Sequence, residues 1–397
     1  MHALEGVKVL DLSRVLAGPW CTQTLADLGA DVWKIEEPAN GDDTRSWMPP
    51  EIGGESTYFL CCNRSKQSVA LDLKDPEAQA IVRRLAEKAD VFVENYRKGA
   101  VEKFGLGYEQ LAAVNPRLIY CSISGYGRTG SRSHEAGYDF AIQAESGLMA
   151  ITGEPDGSPM KHGVAITDVV TGMNATQAIL AALFAREKTG LGQFIDVSLF
   201  ESAVALLANV GSGYLATGHE PKRYGNAHPT VVPYQLFDTA DGVVALAVGN
   251  DLQFKNLCLE VLERPDLWAD ERYQKNRDRV LNRTTLIPAL AELFRTRETM
   301  DWITMLKRAG VPAGQVRKVS EVFSSPEIAE RNVVVEAPDA RHGALRLTAS
   351  PLRLRGTPVR APTSPPRLGE NTRDVLKREL GLSEQEIERV CSKPPAE

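Results

Sequence analysis

Asp168 stands in the segment Gly163-Val-Ala-Ile-Thr-Asp168-Val-Val-Thr-Gly172, where an irregular stretch gives way to an apolar helix reaching about Arg186. A carboxylate at a helix mouth has two uses: it can cap free backbone amides, or it can act as a nucleophile or acid–base group. The segment alone leaves both open. Elsewhere, Lys34, Arg45, Arg64, Lys66, Lys74, Arg97, Lys98 and Lys103 gather near the ends of the early strands, with Phe59, Leu71 and Tyr96 between them. Singly, each fits a solvated surface; as a group they suit a ligand with phosphates and a flat ring, since open α/β sheets bind ligands beyond the carboxyl ends of their strands.

Other motifs narrow the chemistry. Gly125-Tyr-Gly127-Arg-Thr-Gly130 has the spacing of a dinucleotide fingerprint, but a polar stretch follows it instead of an apolar helix. It therefore reads as a mobile glycine loop. The chain lacks a Gly-x-Ser-x-Gly elbow, which argues against a serine hydrolase. Its cysteines (Cys21, Cys61, Cys62, Cys121, Cys258, Cys391) form no Cys-x-x-Cys pair, and His219 and His228 lie too far apart for a short metal-ligand pair. Buried, reduced thiols in the cytoplasm and no metal site are the expectation.

These residues need elements to hold them. At 397 residues the chain exceeds one compact core and implies about two domains. A net charge of -6 offers no footprint for nucleic acid. The N-terminus enters a strand directly, without a targeting pattern. No apolar run approaches the roughly 20 residues that span a bilayer, so no membrane partner is expected. Strands are expected at 7–12, 31–36, 68–73, 90–94 and 118–123, with helices at 20–28, 76–88 and near 108–114. Asp75-Pro76 supplies a cap and a first-turn proline for the second helix. This alternation gives the fold class α/β, with a mainly parallel sheet covered on both faces. A strand at 193–198 and a long helix at 199–215 follow.

Beyond Thr217 the texture changes. Residues 218–225 read as a linker. Residues 226–325 read as a smaller α+β domain, with a hairpin (234–237, 243–248) and helices near 252–262, 283–294 and 299–309. The Pro- and Arg-rich stretch 353–368 and a helix at 372–380 make residues 326–397 a return segment and C-terminal arm packing on the large domain, residues 1–217.

In this order the motifs resemble the class III CoA-transferases. The matching residues include Val9-Leu-Asp-Leu-Ser-Arg-Val-Leu-Ala-Gly-Pro19, Gly41-Asp-Asp-Thr-Arg45, Asn63-Arg-Ser-Lys66 and Leu71-Asp-Leu-Lys74. Val93-Glu-Asn95, Ser124-Gly-Tyr-Gly127, Gly137-Tyr-Asp139, Gly163 to Asp168, Gly225-Asn-Ala-His-Pro229 and Gly310-Val-Pro-Ala-Gly314 continue the match over nearly the whole chain. The resemblance implies a Rossmann-like large domain, an interlocked homodimer, and Asp168 as a nucleophile forming an aspartyl anhydride and then an aspartyl-CoA thioester. CoA is a substrate there, and no other cofactor is implied. Val15, Leu71, Lys74, Asn95, Tyr96, Arg97 and Lys103 match the CoA site. Arg14, Leu16, Arg45, Tyr138, Arg223 and His228 are the candidates for the acceptor acid, with arginine favoured for gripping a carboxylate.

Two departures sharpen the resemblance. Related 2-methylacyl-CoA racemases carry histidine where this chain has Tyr138, which removes their second acid–base group. Formyl-CoA transferases carry glutamine at the position of Leu16 and a glycine run where this chain reads Gly249-Asn-Asp251. What remains resembles the succinyl-CoA:dicarboxylate branch, whose acceptors include glutarate and itaconate. Intramolecular CoA transfer on one diacid would use the same aspartate.

Overall fold

Six short strands, most of them near-continuous buried runs because both faces of the sheet are covered, build the central sheet of the computed structural model, which describes residues 1–391. They are β1 (Lys8–Asp11), β2 (Asp31–Glu36), β3 (Gln67–Ala70), β4 (Val91–Glu94), β5 (Ile119–Ser124) and β6 (Phe194–Ser198). All pair in parallel, in the order β3-β2-β1-β4-β5-β6. Chain direction across the sheet reverses between β1 and β4, the switch point at which such sheets open a crevice.

The period of two along each strand sorts side chains to opposite faces. Leu10, Trp33, Ile35, Phe92 and Tyr120 enter one core with helix α3 (Pro76–Lys88). Val9, Val32, Val91, Val93, Ile119 and Cys121 enter another, with α1 (Ala17–Asp27) and α5 (Ile166–Thr189). Between them in sequence lie α2 (Thr57–Cys61) and α4 (Asp139–Glu145). Asp75 caps α3 by accepting from the Glu77 amide at 3.0 Å, ahead of Pro76.

Helix α5 is long and apolar enough to cross a membrane by length and composition, contrary to the expectation that no run approached that size. Its Thr171, Gly172, Ala175, Ile179 and Ala182 are instead buried, with Ala175, Ile179 and Ala182 in the core shared with α1, and buried Asp168 and Arg186 lie near its two ends. The expected single helix at 199–215 is two, α6 (Leu199–Ala205) and α7 (Ala208–Thr217), bent by 78° at the break. Ala208 has φ +43°, which takes the backbone out of the right-handed helical path.

The chain divides into two compact units, one of residues 1–148, 161–218 and 326–391, the other of residues 149–160 and 219–325. Residues 149–160 and all but Gly218 of the expected linker 218–225 thus belong to the second unit. That unit has an antiparallel sheet of β7 (Tyr234–Asp238), β8 (Val243–Ala247) and β9 (Ala313–Gln315), packed with α8 (Arg283–Phe294) and α9 (Thr299–Arg308). The expected helix near 252–262 begins at Asp251 and widens to a π turn over Leu257–Val261.

The return segment adds a hairpin that the sequence reading missed, β10 (Val334–Asp339) with β11 (Gly343–Thr348). Two helices close it, α10 (Thr372–Leu380), whose start is fastened to β3, and α11 (Glu384–Cys391), which the sequence reading also missed. Asn371 Oδ1 accepts from the Ser68 amide at 3.0 Å, and Thr372 Oγ1 accepts from the Ala70 amide at 2.9 Å. The end of the expected arm, residues 392–397, lies outside the described residues.

Candidate active site

The turn from β1 into α1 is shaped by a buried polar network. Asp11 accepts from the Ser13 amide at 2.9 Å, from the Thr22 hydroxyl at 2.6 Å and from Lys66 Nζ at 3.2 Å. Burial opposes ionisation of Asp11, but Lys66 and Lys34 outweigh it and hold the carboxyl below its usual range. Lys34 donates to the Ser13 carbonyl at 2.8 Å and pairs with Asp42 at 2.9 Å. A Cβ on Gly18 would meet Ser13 Cβ at 2.2 Å, so only glycine lets the turn close.

Val15 follows with φ +71°, an uncommon conformation for a β-branched residue that costs about 1–3 kcal/mol. Its amide donates to Asp42 Oδ1 at 3.2 Å, which helps hold the strained turn. Asn95, just past β4, ties this turn to its neighbour: its Oδ1 accepts from the Arg14 amide and its Nδ2 donates to the Arg14 carbonyl, both at 2.8 Å. Asn95→Ala removes both bonds and is expected to destabilise the protein by about 1–2 kcal/mol, read by chemical unfolding. Wild-type stability in that variant would show that the turn is held by other contacts.

The loop after β5 is fastened rather than mobile, because its groups have partners on three strands. The Arg128 amide donates to Asp196 at 2.8 Å, and its guanidinium pairs with Glu94 at 2.6 Å and with Ser122. Gly125 and Gly137 cross at contact: a Cβ on Gly125 would lie 2.6 Å from the Gly137 nitrogen.

Asp168 is the third residue of α5 and is 9% exposed. Close helix packing brings it to the β1–α1 turn, since a Cβ on Gly172 would lie 2.5 Å from the Ala17 carbonyl oxygen. Its carboxylate makes no ion pair among the described residues. Burial, then the nearby Asp139 charge, pushes its pKa up to about 7. A desolvated carboxylate without a cationic partner is a poor stabilising element and a reactive one.

One cleft, at the switch point of the sheet, collects Asp168 with Arg14, Val15, Leu16, Asn95, Tyr96, Arg97 and Tyr138. Arg14 leans over the Tyr96 ring, 5.4 Å from its centroid, and pairs with Asp43 at 3.2 Å. The structure also places Lys98, Arg128, Ser124 and Glu135 there, which the sequence reading did not assign to the site. Lys98 belonged to the cationic group, and Arg128 lies in the glycine loop just past β5, so strand-end position was the available signal.

Other expected site residues are not among the lining of this cleft. Arg45 is held by Glu36 through two bonds of 2.8 and 2.7 Å and stacks on Phe59, so its fork is engaged and it does not line the cleft. Lys34, Lys66 and Arg64 are buried against Asp42, Asp11 and Asp27, and serve the fold, not a phosphate. Leu71 packs in the core and can offer a ligand only backbone groups. Lys74 and Lys103 are exposed and outside the cleft lining. Arg223 and His228 belong to the second unit. Arg223 donates to the carbonyls of Glu154, Gly157 and Ala150 at 3.1, 2.7 and 3.3 Å, which engages its fork within that unit. His228 packs on Tyr234, and its Nδ1 accepts from the Thr230 amide at 3.1 Å.

The model of CoA-transferase family III matches residues 4–372. A succinyl-CoA:glutarate CoA-transferase of Mus musculus is 45% identical over 99% of this chain and 90% of its own length. A succinate–glutarate CoA-transferase of Agrobacterium fabrum is 43% identical over 94% of each chain. Among solved structures, a CaiB/BaiF family protein from Brucella suis superposes with a TM-score of 0.84 at 42% identity, covering 96% of this chain and 100% of that one.

Proposed function

The chain belongs to CoA-transferase family III and is a CoA-transferase, and from that premise we propose that it moves CoA from succinyl-CoA to a dicarboxylic acid, with glutarate as the first acceptor to test and itaconate as the next. The relatives support dicarboxylate transfer. The observation that carries the role of Asp168 is its buried, unpaired carboxylate facing the switch-point cleft.

In this reading the Asp168 carboxylate attacks the thioester carbonyl carbon. The C–S bond breaks, leaving an aspartyl–succinyl anhydride and CoA thiolate. The thiolate attacks the aspartyl carbonyl, succinate departs, and Asp168 holds CoA as a thioester. The acceptor carboxylate attacks that thioester to form a second anhydride. The thiolate then attacks the acceptor's carbonyl, which yields the new acyl-CoA and restores the Asp168 carboxylate. Proton count is unchanged throughout, so the site needs an ionised aspartate and excluded water, not a proton shuttle. CoA acts as a substrate, and no other cofactor enters the scheme.

Arg14 is the cleft residue best suited to the distal carboxylate of a diacid, because it lines the cleft and, among the described residues, Asp43 is its single ionic partner. Arg14→Gln is expected to raise KM about 10–100-fold for diacid acceptors and dicarboxylyl-CoA donors. Acetyl-CoA as donor would be little affected. An equal effect on both donors would remove Arg14 from that role.

An interlocked homodimer is part of the proposal. Helix α7 has no buried residue although it carries Val210, Tyr214 and Leu215, and Phe184 and Met173 on α5 are also exposed. The free, buried Cys21, Cys62, Cys121 and Cys258 suit a reducing compartment such as the cytoplasm. Function is tested by incubating the protein with succinyl-CoA and a panel of glutarate, itaconate, mesaconate, malate and oxalate, with products read by mass spectrometry. A new mono-CoA thioester of one of the added diacids supports the reading and names the acceptor. No exchange with any acid, alongside inversion of a 2-methylacyl-CoA, would overturn it despite Tyr138.

A further inference from the structure

Asp139, the first residue of α4, reaches across to the start of α5. Its Oδ1 accepts from the Thr167 amide at 2.8 Å, from the Thr167 hydroxyl at 2.5 Å and from the Asp168 amide at 3.4 Å. Its Oδ2 accepts from Gln143 Nε2 at 2.6 Å. Gln143 is 1% exposed, and its Oε1 accepts from the His162 amide at 2.8 Å, on the segment leading into α5. A helix start leaves amides without intrahelical partners, and α5 has no side-chain cap at its own N-cap residue, Ala165. Asp139 fills that place from another helix.

We propose that Asp139, oriented by Gln143, is the positioning residue for Asp168: it fixes the first turn of α5 and keeps a negative charge beside the nucleophile, making it the stronger attacker of a thioester. A more basic carboxylate is a better nucleophile as long as it is ionised at working pH. Two carboxylates this close disfavour joint ionisation, and the upward push on Asp168 from burial and from Asp139 accords with the geometry.

Other charged or titratable groups line the cleft that holds Asp168: Arg14 after β1, Asp43 after β2, Arg97 and Lys98 after β4, Arg128 and Glu135 after β5, and Tyr138 at the start of α4. The Tyr58 hydroxyl, on α2, feels the Asp168 charge. Arg14 and Arg128 are paired with Asp43 and Glu94. Asp139 is the charged neighbour that acts on the Asp168 carboxyl.

The kinetic part of this inference rests on Asp168 being the nucleophile; the titration part does not. Protein labelled with 13C at aspartate carboxyl carbons is titrated by NMR, with the Asp168 signal identified by its loss in Asp168→Asn. Asp139→Asn retains an oxygen for the Thr167 amide and removes the charge, so the Asp168 midpoint is expected to fall by about one unit. The acid limb of kcat/KM for CoA exchange is expected to move with it. Asp139→Ala removes the cap as well and is expected to lower kcat further at every pH. Gln143→Met frees Asp139 without removing its charge; a lower kcat at an unchanged midpoint is expected. An unmoved Asp168 midpoint in Asp139→Asn, or wild-type kcat in Gln143→Met, overturns the inference even if CoA exchange itself is confirmed.

Discussion

Asp168→Asn is expected to lower CoA exchange by about four orders of magnitude while making the folded protein more stable at neutral and alkaline pH. The amide cannot form the anhydride, so covalent catalysis is lost and only binding remains. The stability gain follows from proton linkage. Burial, then Asp139, pushes the carboxyl up to about 7 in the folded protein, against about 4 for an ordinary aspartate. Between about pH 4 and pH 7 the folded state holds a proton that the unfolded state has released, so rising pH removes stability over that window. Above it the full penalty of the buried charge is present, with an upper limit of about 4 kcal/mol. Asparagine abolishes the penalty. The variant and the wild type are therefore expected to unfold alike at about pH 4 and to diverge in favour of the variant by about pH 8. Melting curves across this range check the claim; parallel curves would mean that Asp168 is stabilised by a partner or is solvated.

Gly125→Ala is expected to cost about 2–3 kcal/mol of stability and about 100-fold in exchange rate. Its Cβ would sit 2.6 Å from the Gly137 nitrogen and 2.7 Å from its Cα, and backbone atoms cannot rotate away as a side chain can. The segment carrying Gly137, which leads into α4, must move, and with it Tyr138, which lines the cleft, and Asp139, which holds the first turn of α5. Chemical unfolding and steady-state exchange test this together. A variant of normal stability and rate would show that the two loops separate without consequence to Asp168.

Much of the scaffold was legible because its signals are local. Val7-Lys-Val-Leu-Asp-Leu12 is a short apolar run, buried without a break from Val9 to Leu12 as a parallel strand covered on both faces must be, Asp75-Pro76 starts its helix where a cap and first-turn proline require, and Gly190 ends α5 with φ +74°. Asp168 at a helix mouth was equally visible, but a local pattern cannot tell a cap from a nucleophile. The structure separates the roles: Asp139 does the capping from another helix, and Asp168 stays unpaired.

What the sequence hid depends on distant partners. Lys34 and Lys66 look like phosphate ligands until Asp42 and Asp11 are found opposite them, and Arg45 looks free until Glu36 takes its fork. Positive charge near a strand end does not reveal which way the side chain points. The bend at Ala208 was also hidden, since Leu199 to Leu215 reads as one apolar helix until a single residue takes positive φ.

The central claim is that CoA passes through Asp168 as a covalent thioester. The most direct measurement incubates the protein with succinyl-CoA and no acceptor, quenches in acid, digests, and sequences the peptides by mass spectrometry. CoA is expected on the peptide holding Asp168, assigned to that side chain, absent in Asp168→Asn, and discharged when glutarate or another working acceptor is added. Exchange that proceeds with no adduct on Asp168, or with the adduct on another residue, would contradict it.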